Sequence, residues 1–355
     1  MTAAGGIAPR RASVDHNAWP RQSGTFPRSV RRACDPLAMH EAVEVVSSAR
    51  LHLGFLDLSF TRGRRFGSIG MALDAPETRL VLARSRETVV RGEDAARAQR
   101  HLETVAAHLG LKGSHALTIA SAIPAHSGLG SGTQLALSVA SALRRLHGLP
   151  ANPGQDARVL GRGRRSGIGI FLFQQGGLVV DGGHRNDELP PLLARMTVPE
   201  DWRVLLIQDP AHRGLSGARE SEAFAGLPPL ADRLTERICR LVLMQALPAV
   251  AEDDLPSFGA AVTEMQRIAG DYFAPAQGGQ FTSPAIAEAL GHASEAGTMG
   301  IGQSSWGPSG FAFIRGEPKA QRAARILRER VPGLDIQVCA ALNHGARMTK
   351  RPTAA

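Results

Sequence analysis

Three glycines at every second position, Gly128, Gly130 and Gly132, alternate with Leu129, Ser131 and Thr133 in the run PAHSGLGSGTQ. Such a run suits anion chemistry. Without a Cβ the backbone N–H groups can close on phosphate oxygens, and the two hydroxyls can touch phosphate or a hydrated Mg²⁺. The flanks supply the geometry. Leu117, Ile119 and Ile123 fall on alternate positions, as on one face of a strand. Leu135, Val139, Leu143 and Leu146 recur at helical spacing, and Gly148 with Pro150 supplies a stop. Strand, glycine loop and helix together aim a helix N-terminus at one point. The spacing is neither that of a P-loop nor that of the dinucleotide pattern, so a plain tight turn stands beside the anion cradle as a reading.

Other residues join this loop as candidates. Arg62, Arg64 and Arg65 lie among glycines in TRGRRFG, and Arg162, Arg164 and Arg165 repeat the setting in GRGRRSG. Guanidinium forks beside glycines suit phosphate or carboxylate, and equally a solvated charged turn. His52 and Asp57 lie in RLHLGFLDL, open to chemistry or to a strand face and a turn. Asp181 precedes two glycines, a setting for a ligand or metal and also a common turn. Gln303, Ser304, Ser305 and Trp306 occupy a second glycine-rich loop, GIGQSSWGPSG. There a flat indole beside hydrogen-bonding groups could hold an aromatic or sugar ring, or simply pack between domains.

The chain of 355 residues carries a net charge of +9 and only three lysines, so 38 of its 41 basic residues are arginine. That balance fits nucleic acid or a polyanionic small molecule. Aromatic residues are 5%, and no RNA or DNA recognition motif is present, which favours the small molecule. No apolar run approaches the ~18 residues that span a bilayer. Cys34, Cys239 and Cys339 have neither metal-ligand spacing nor a disulfide framework, as expected of a reducing compartment.

The elements that must position these residues follow from periodicity. Residues 1–36 hold six arginines against two acids, with no apolar segment of a secretory signal, and are expected to be a disordered basic tail. A strand is predicted over ARLHLGFLD and another over 79–84, then a helix over 93–109. FLFQQGGLVVD at 171–181 reads as strand, turn, strand. The acid- and proline-rich stretch 186–191 reads as a boundary between domains at 41–188 and 192–345. Beyond it a buried strand is predicted at 202–207, and helices at 230–246, 255–268, 286–296 and 319–330. GDYFAPAQGGQF reads as a loop, strands follow at 310–314 and 334–338, and the last residues are expected to fray.

The loop Pro124–Thr133 resembles the P-x-x-x-G-L-G-S-S-A motif of the GHMP small-molecule kinase superfamily. Pro124, Gly128, Leu129, Gly130 and Ser131 match, while Gly132 and Thr133 replace the final serine and alanine. The resemblance implies an α+β fold in two parts, a mixed-sheet N-terminal domain with helices and a ferredoxin-like α/β sandwich. Kinases of the mevalonate type carry S-G-x-D with a catalytic aspartate; the matching residues here are Ser166, Gly167, Ile168 and Gly169, so the acid is a glycine. RLHLGFLDL, GLGSGTQ, GRGRRSGIG, QGGQF and GQSSWGPSG together resemble a narrower family, the beta-ribofuranosylaminobenzene 5′-phosphate synthases.

That resemblance implies transfer of a phosphoribosyl group from 5-phosphoribosyl diphosphate to 4-aminobenzoate or 4-hydroxybenzoate, with release of CO₂ and pyrophosphate, on the way to a tetrahydromethanopterin-type cofactor. It implies Mg²⁺ dependence, a cytoplasmic setting, a homodimer, and neither nucleic acid nor membrane as partner. On this reading the Gly128–Gly132 loop, Ser131, Thr133 and Mg²⁺ stabilise the leaving diphosphate. The arginines at 62, 65, 162 and 165 hold the 5′-phosphate and the carboxylate. Asp181 or Asp57 binds the metal or steadies the developing cation, with His52 as a further candidate. An ATP-dependent kinase and a non-catalytic anion binder are the alternatives.

Overall fold

The computed structural model describes residues 41–186, 188–214 and 217–352, with backbone alone for 217–221. The basic tail expected at 1–36 lies outside these residues. Two long strands, β1 (Glu41–Asp57) and β2 (Phe66–Ser85), pair antiparallel and make the spine of the first sheet. Their alternating Val43, Val45, Leu51, Leu53, Ile69, Met71, Leu80 and Leu82 are all buried. Next come β3 (Val89–Gly92), helix α1 (Ala95–His108) and β4 (Ser114–Ser121), with β3 parallel to β4 and β4 antiparallel to β2.

The glycine loop then leads into α2 (Ser131–Leu146). This helix buries Leu135, Leu137, Val139, Leu143 and Leu146 against α1 and the sheet. Each such side chain is worth about 1.5–3 kcal/mol relative to exposure, so the helix is fixed by packing rather than by its ends. Helix α3 (Pro153–Val159) is tied to α2 by a buried ion pair, Arg144 Nη2 to Asp156 Oδ1 at 2.8 Å.

Helix α4 (Ile168–Gln175) and strand β5 (Leu178–Asp181) follow. The stretch predicted as two strands is thus a helix and one strand. The reason lies in burial: Ile168, Ile170, Leu172 and Phe173 are all buried, and an apolar run of this length carries no period that separates helix from strand. Residues 182–191 lead to β6 (Leu192–Met196), which pairs with β5 in the same sheet; the chain leaves that sheet at 197–201.

The second sheet begins with β7 (Trp202–Gln208). Helices α5 (Gly217–Gly226) and α6 (Asp232–Leu241), a π-helical turn (Val242–Ala246), α7 (Leu247–Ala251), α8 (Leu255–Gln277) and α9 (Pro284–Glu295) separate it from β8 (Met299–Gln303) and β9 (Ser309–Arg315). Helix α10 (Glu317–Arg330) and β10 (Asp335–Ala340) complete it. The order β10-β7-β9-β8 is that of a ferredoxin-like split βαβ unit. Helix α8 runs nine residues beyond the predicted end at 268. Its Pro275 lies in the last turn, where few intrahelical bonds remain to be lost, and Gly278 closes it in a left-handed conformation.

The final strand, β11 (Arg347–Pro352), returns to pair with β1 from Glu41↔Pro352 to Val46↔Arg347. The expected frayed end is therefore a sheet edge. All six of its residues are exposed, so its sequence has no apolar face to announce it. The two sheets share one core: Leu51, Leu53, Ile69 and Met71 pack with Trp202, Val204, Phe311 and Phe313 and with Phe258, Val262 and Met265 of α8.

One contact gives the first sheet a pH dependence. His115 on β4 and His147 at the end of α2 face each other, Nε2 to Nε2, at 2.9 Å. Burial, then Arg84, then His115 pushes the His147 imidazole down to about 4, and burial with Arg84 lowers His115. Both folded values lie below the unfolded value, so the unfolded chain takes up protons first as the pH falls. Stability is expected to be lost between pH 6.5 and about 4, by an amount on the order of 1–2 kcal/mol once solvent screening at His147 is allowed for. Urea melts of wild type and His147→Gln isolate this contribution: the stability difference between them should fall as the pH drops through that window, on top of what His52, His101 and Asp181 contribute to both.

Candidate functional site

The glycine loop docks by backbone contact. Gly128 adopts φ 82° and Gly130 φ 79°, conformations that cost L-residues energy. A β-carbon on Gly128 would run into the carbonyl oxygen of Ser304, and one on Gly307 into that of Ser127. Polar side chains fasten the contact. Ser304 Oγ donates to Gly128 O at 2.9 Å and accepts from His52 N at 3.0 Å. Arg50 Nη1 donates to the same carbonyl at 2.7 Å. Ser304 is thus a fastener between β1 and two loops, buried with no exposed surface.

Helix α2 starts at Gly130 with no side-chain cap, which leaves its first amides aimed outward at whatever approaches. Ser131, Gly132 and Thr133 form the first turn. Facing them is Gly169 of α4, where the β-carbon position is 3.2 Å from Thr133 Cγ2. Gln134 Nε2 donates to Gly169 O at 2.9 Å and fixes the two helices together. A carboxylate at 169 would therefore project at the start of α2; the chain has only a hydrogen there. Arg162 closes the other side, its Nη1 lying 3.0 Å from the β-carbon position of Gly132.

The two arginine-glycine loops meet through the turn after β5. Arg65 N donates to His184 O at 2.8 Å, and His184 N donates back to Arg65 O at 2.9 Å. Asp181 accepts from Gly183 N at 2.9 Å through Oδ1 and from Gly167 N at 2.9 Å through Oδ2, with Ser166 Oγ at 3.4 Å. Its carboxyl is wholly buried, and burial raises it to about 6 against the pull of those amides. The geometry makes Asp181 the tether of both loops. As a metal ligand or catalytic acid it is out of reach, since its oxygens are spent on backbone N–H groups inside the protein.

Asp57 closes a tight turn. Its Oδ1 accepts from Ser59 N and Ser59 Oγ, each at 2.8 Å, and from Phe60 N at 3.2 Å. Around that turn runs an aromatic belt: Phe60 and Phe66 lie 5.5 Å apart, Phe66 and Phe224 5.7 Å, and Phe224 and Trp306 5.3 Å between ring centroids. Arg65 sits over Phe60 at 5.7 Å and Arg165 over Phe224 at 5.2 Å. Arg62 and Arg164 are exposed. Two guanidinium groups thus bracket one apolar surface, a setting for a flat ring that carries an anion.

A third set lies at the far end of the belt. His52, Gln303, Ser305 and Trp306 line a pocket with Phe273 and Gln266. His52 Nε2 and Trp306 Nε1 are buried there without a partner, and burial with Arg50 holds the imidazole neutral. Trp306 packs against Phe273 at 4.4 Å, so its faces are covered by protein. Gln303 is taken up by Thr282 and the Ser305 carbonyl.

Residue types explain what the sequence hid. Phe66, Phe224, Gly307 and Gly214 carry no chemical signature, yet the two rings form the middle of the aromatic belt and the two glycines let their loops pack backbone to backbone; a β-carbon on Gly214 would meet Gly307 Cα at 2.6 Å. For a resident Mg²⁺ the donor set does not fit. Among the described residues no three or more of His, Cys, Asp and Glu converge, Ser131 and Thr133 offer hydroxyls alone, and Asp181 is committed to amides.

With this geometry in place, comparison with known proteins is decisive. A beta-ribofuranosylphenol 5′-phosphate synthase of Methanothermobacter thermautotrophicus is 33% identical over 325 residues, covering 85% of this chain and 97% of that protein. The chain belongs to the beta-ribofuranosylphenol 5′-phosphate synthase family. A synthase of the same name from Archaeoglobus fulgidus is 37% identical over 235 residues, 62% of this chain and 74% of that one. Within this synthase family the superfamily frame is plain: residues 95–175 match the model of the GHMP kinases N terminal domain and 246–333 that of the GHMP kinases C terminal. The homoserine kinase of Cytophaga hutchinsonii superposes with a TM-score of 0.63 at 17% identity, covering 87% of this chain and 97% of its own. That likeness shows the shared α+β fold.

Proposed function

We propose that this chain transfers a phosphoribosyl group from 5-phosphoribosyl diphosphate to a para-substituted benzoate, with loss of CO₂ and pyrophosphate. The observation that carries the proposal is the likeness to the Methanothermobacter thermautotrophicus synthase over nearly its whole length, and it is supported by the glycine at 169, packed on Thr133 where kinases of the mevalonate type carry their catalytic aspartate. The acceptor is 4-hydroxybenzoate, in keeping with the phenol in the relatives' name, and 4-aminobenzoate is the close alternative.

The residues divide the work. The first amides of α2 and Arg162 receive the negative charge that builds on the diphosphate as its bond to C1 breaks. Arg65 and Arg165 take the two remaining anions, the 5′-phosphate and the benzoate carboxylate. The aromatic belt through Phe66 and Phe224 holds the ring and excludes water from the cationic centre at C1. The ring carbon that bears the carboxylate bonds to C1. The carboxyl group then leaves as CO₂, and its bonding pair returns to the ring. No oxidant or reductant enters. Mg²⁺ dependence stays part of this proposal, although among the described residues no set of carboxylates converges to hold the ion. The proposal keeps a homodimer and a cytoplasmic setting; among the described residues no helix is long and apolar enough to cross a membrane.

Carboxyl-labelled 4-hydroxybenzoate, 5-phosphoribosyl diphosphate and Mg²⁺ incubated with the purified chain should release labelled CO₂ and pyrophosphate in equal amounts. The kinase alternative, which rests on the fold, gives ADP from ATP with an alcohol and no CO₂. That second outcome would end the proposal.

A further inference from the structure

Helix α1 presents Arg97 and His101, one turn apart, to the start of α2. Arg97 Nη1 lies 3.7 Å from the β-carbon position of Gly132, beside the Arg162 Nη1 at 3.0 Å. The two guanidinium groups therefore share one face of the helix N-terminus. Asp94, the residue before α1, pairs with Arg97. Arg162 has no carboxylate partner among the described residues; its Nη2 lies 3.5 Å from His101 Nε2. His101 is 7% exposed and is held neutral, its value lowered to about 4 by burial and then by Arg162, Arg97 and Arg100. A neutral ring with the proton on Nδ1 accepts from Arg162 at Nε2 and so aims that fork.

This arrangement is costly as it stands. Two like charges are brought together in a half-buried place, and the Nε atoms of both Arg97 and Arg162 are buried without a hydrogen-bond partner. The fold spends structure to keep them there. Arg162 N donates to Ala157 O at 2.7 Å at the end of α3, and α3 is locked to α2 by the buried Arg144–Asp156 pair. A charge cluster built this firmly, without an internal counterion for one of its members, is completed by an anion from outside.

We propose that Arg97 is a further ligand of the donor's diphosphate, completing with Arg162 the subsite at the start of α2, and that His101 positions Arg162. The assignment of the anion rests on the reading given under the proposed function. Two guanidinium forks and a helix N-terminus match two linked phosphoryl groups better than one, because each fork binds two oxygens.

Inorganic pyrophosphate titrated into the full chain by calorimetry tests the subsite without turnover. Wild type should bind it, and Arg97→Gln and Arg162→Gln should each weaken binding by about 10- to 100-fold, the span expected for one lost charge-assisted contact. His101→Phe, which removes the acceptor, should weaken it by less than Arg162→Gln does. Arg162→Gln should also leave the ligand-free melting temperature unchanged or raised, since it removes a repulsion; a purely structural arginine would lower it. Equal pyrophosphate binding by wild type and both arginine variants, or no binding by any of them, overturns the subsite. Arginine-dependent pyrophosphate binding with no CO₂ from labelled benzoate supports the subsite and sinks the phosphoribosyl-transfer reading instead, so the two failures are distinct.

Discussion

Gly128→Ala is expected to cut turnover by roughly 10³-fold and to destabilise the chain by about 2–4 kcal/mol. The new methyl would meet the Ser304 carbonyl at a backbone with φ 82°, so strain and collision add. Relief requires the 304–307 loop to move, and with it the Ser304 hydroxyl that binds both Gly128 O and His52 N. The start of α2 then loses its placement against the arginines. A drop in turnover of roughly 10³-fold corresponds to losing one well-placed set of anion donors. Gly148→Ala is the control. Its φ is 66°, but its β-carbon position meets open space, so it should cost only about 1 kcal/mol and leave turnover intact. Urea denaturation and single-turnover rates on both variants decide the matter; an active, fully stable Gly128→Ala would show that the two loops do not depend on one another.

Asp181→Asn is expected to cost about 2–4 kcal/mol, the penalty of a buried donor set facing a donor. Each carboxylate oxygen now accepts one backbone N–H, from Gly183 and from Gly167. An amide can serve only one of them, and its NH₂ would point at the other. The consequence for chemistry is indirect. Both arginine loops hang from this turn, so KM for donor and acceptor should rise together while kcat per folded molecule falls less. Asp181→Glu should fare no better, because the longer acid has no room in a site with no exposed surface. A variant as stable as wild type but with kcat alone reduced would return Asp181 to the chemistry.

The strand–glycine loop–helix unit was legible in the sequence because glycine is the residue such a tight loop requires, and the amphipathic helices α1, α2, α9 and α10 because each keeps a polar side. Helix α4 was not, since it is buried and has no contrast to read. Strand β11 failed for the opposite reason, being exposed at every residue. The arginines at 65 and 165 stood out in the sequence through their glycine-rich loops, though the sequence could not say that one carboxylate, Asp181, joins those loops. Arg97 and His101 looked like ordinary helix residues. A histidine on the same buried face as Ala98, Leu102 and Val105 was the available signal, and it takes the neighbouring helix to give it meaning.

The pairing of β11 with β1 has a consequence for biogenesis. The edge formed by Glu41–Val46 is among the first parts of the described fold to be synthesised, and its partner at Arg347–Pro352 among the last. On the ribosome that edge must wait, with unsatisfied amides, for some 300 intervening residues to emerge. Loss of Arg347–Pro352 would therefore leave a permanent template for self-association rather than a harmlessly shortened enzyme.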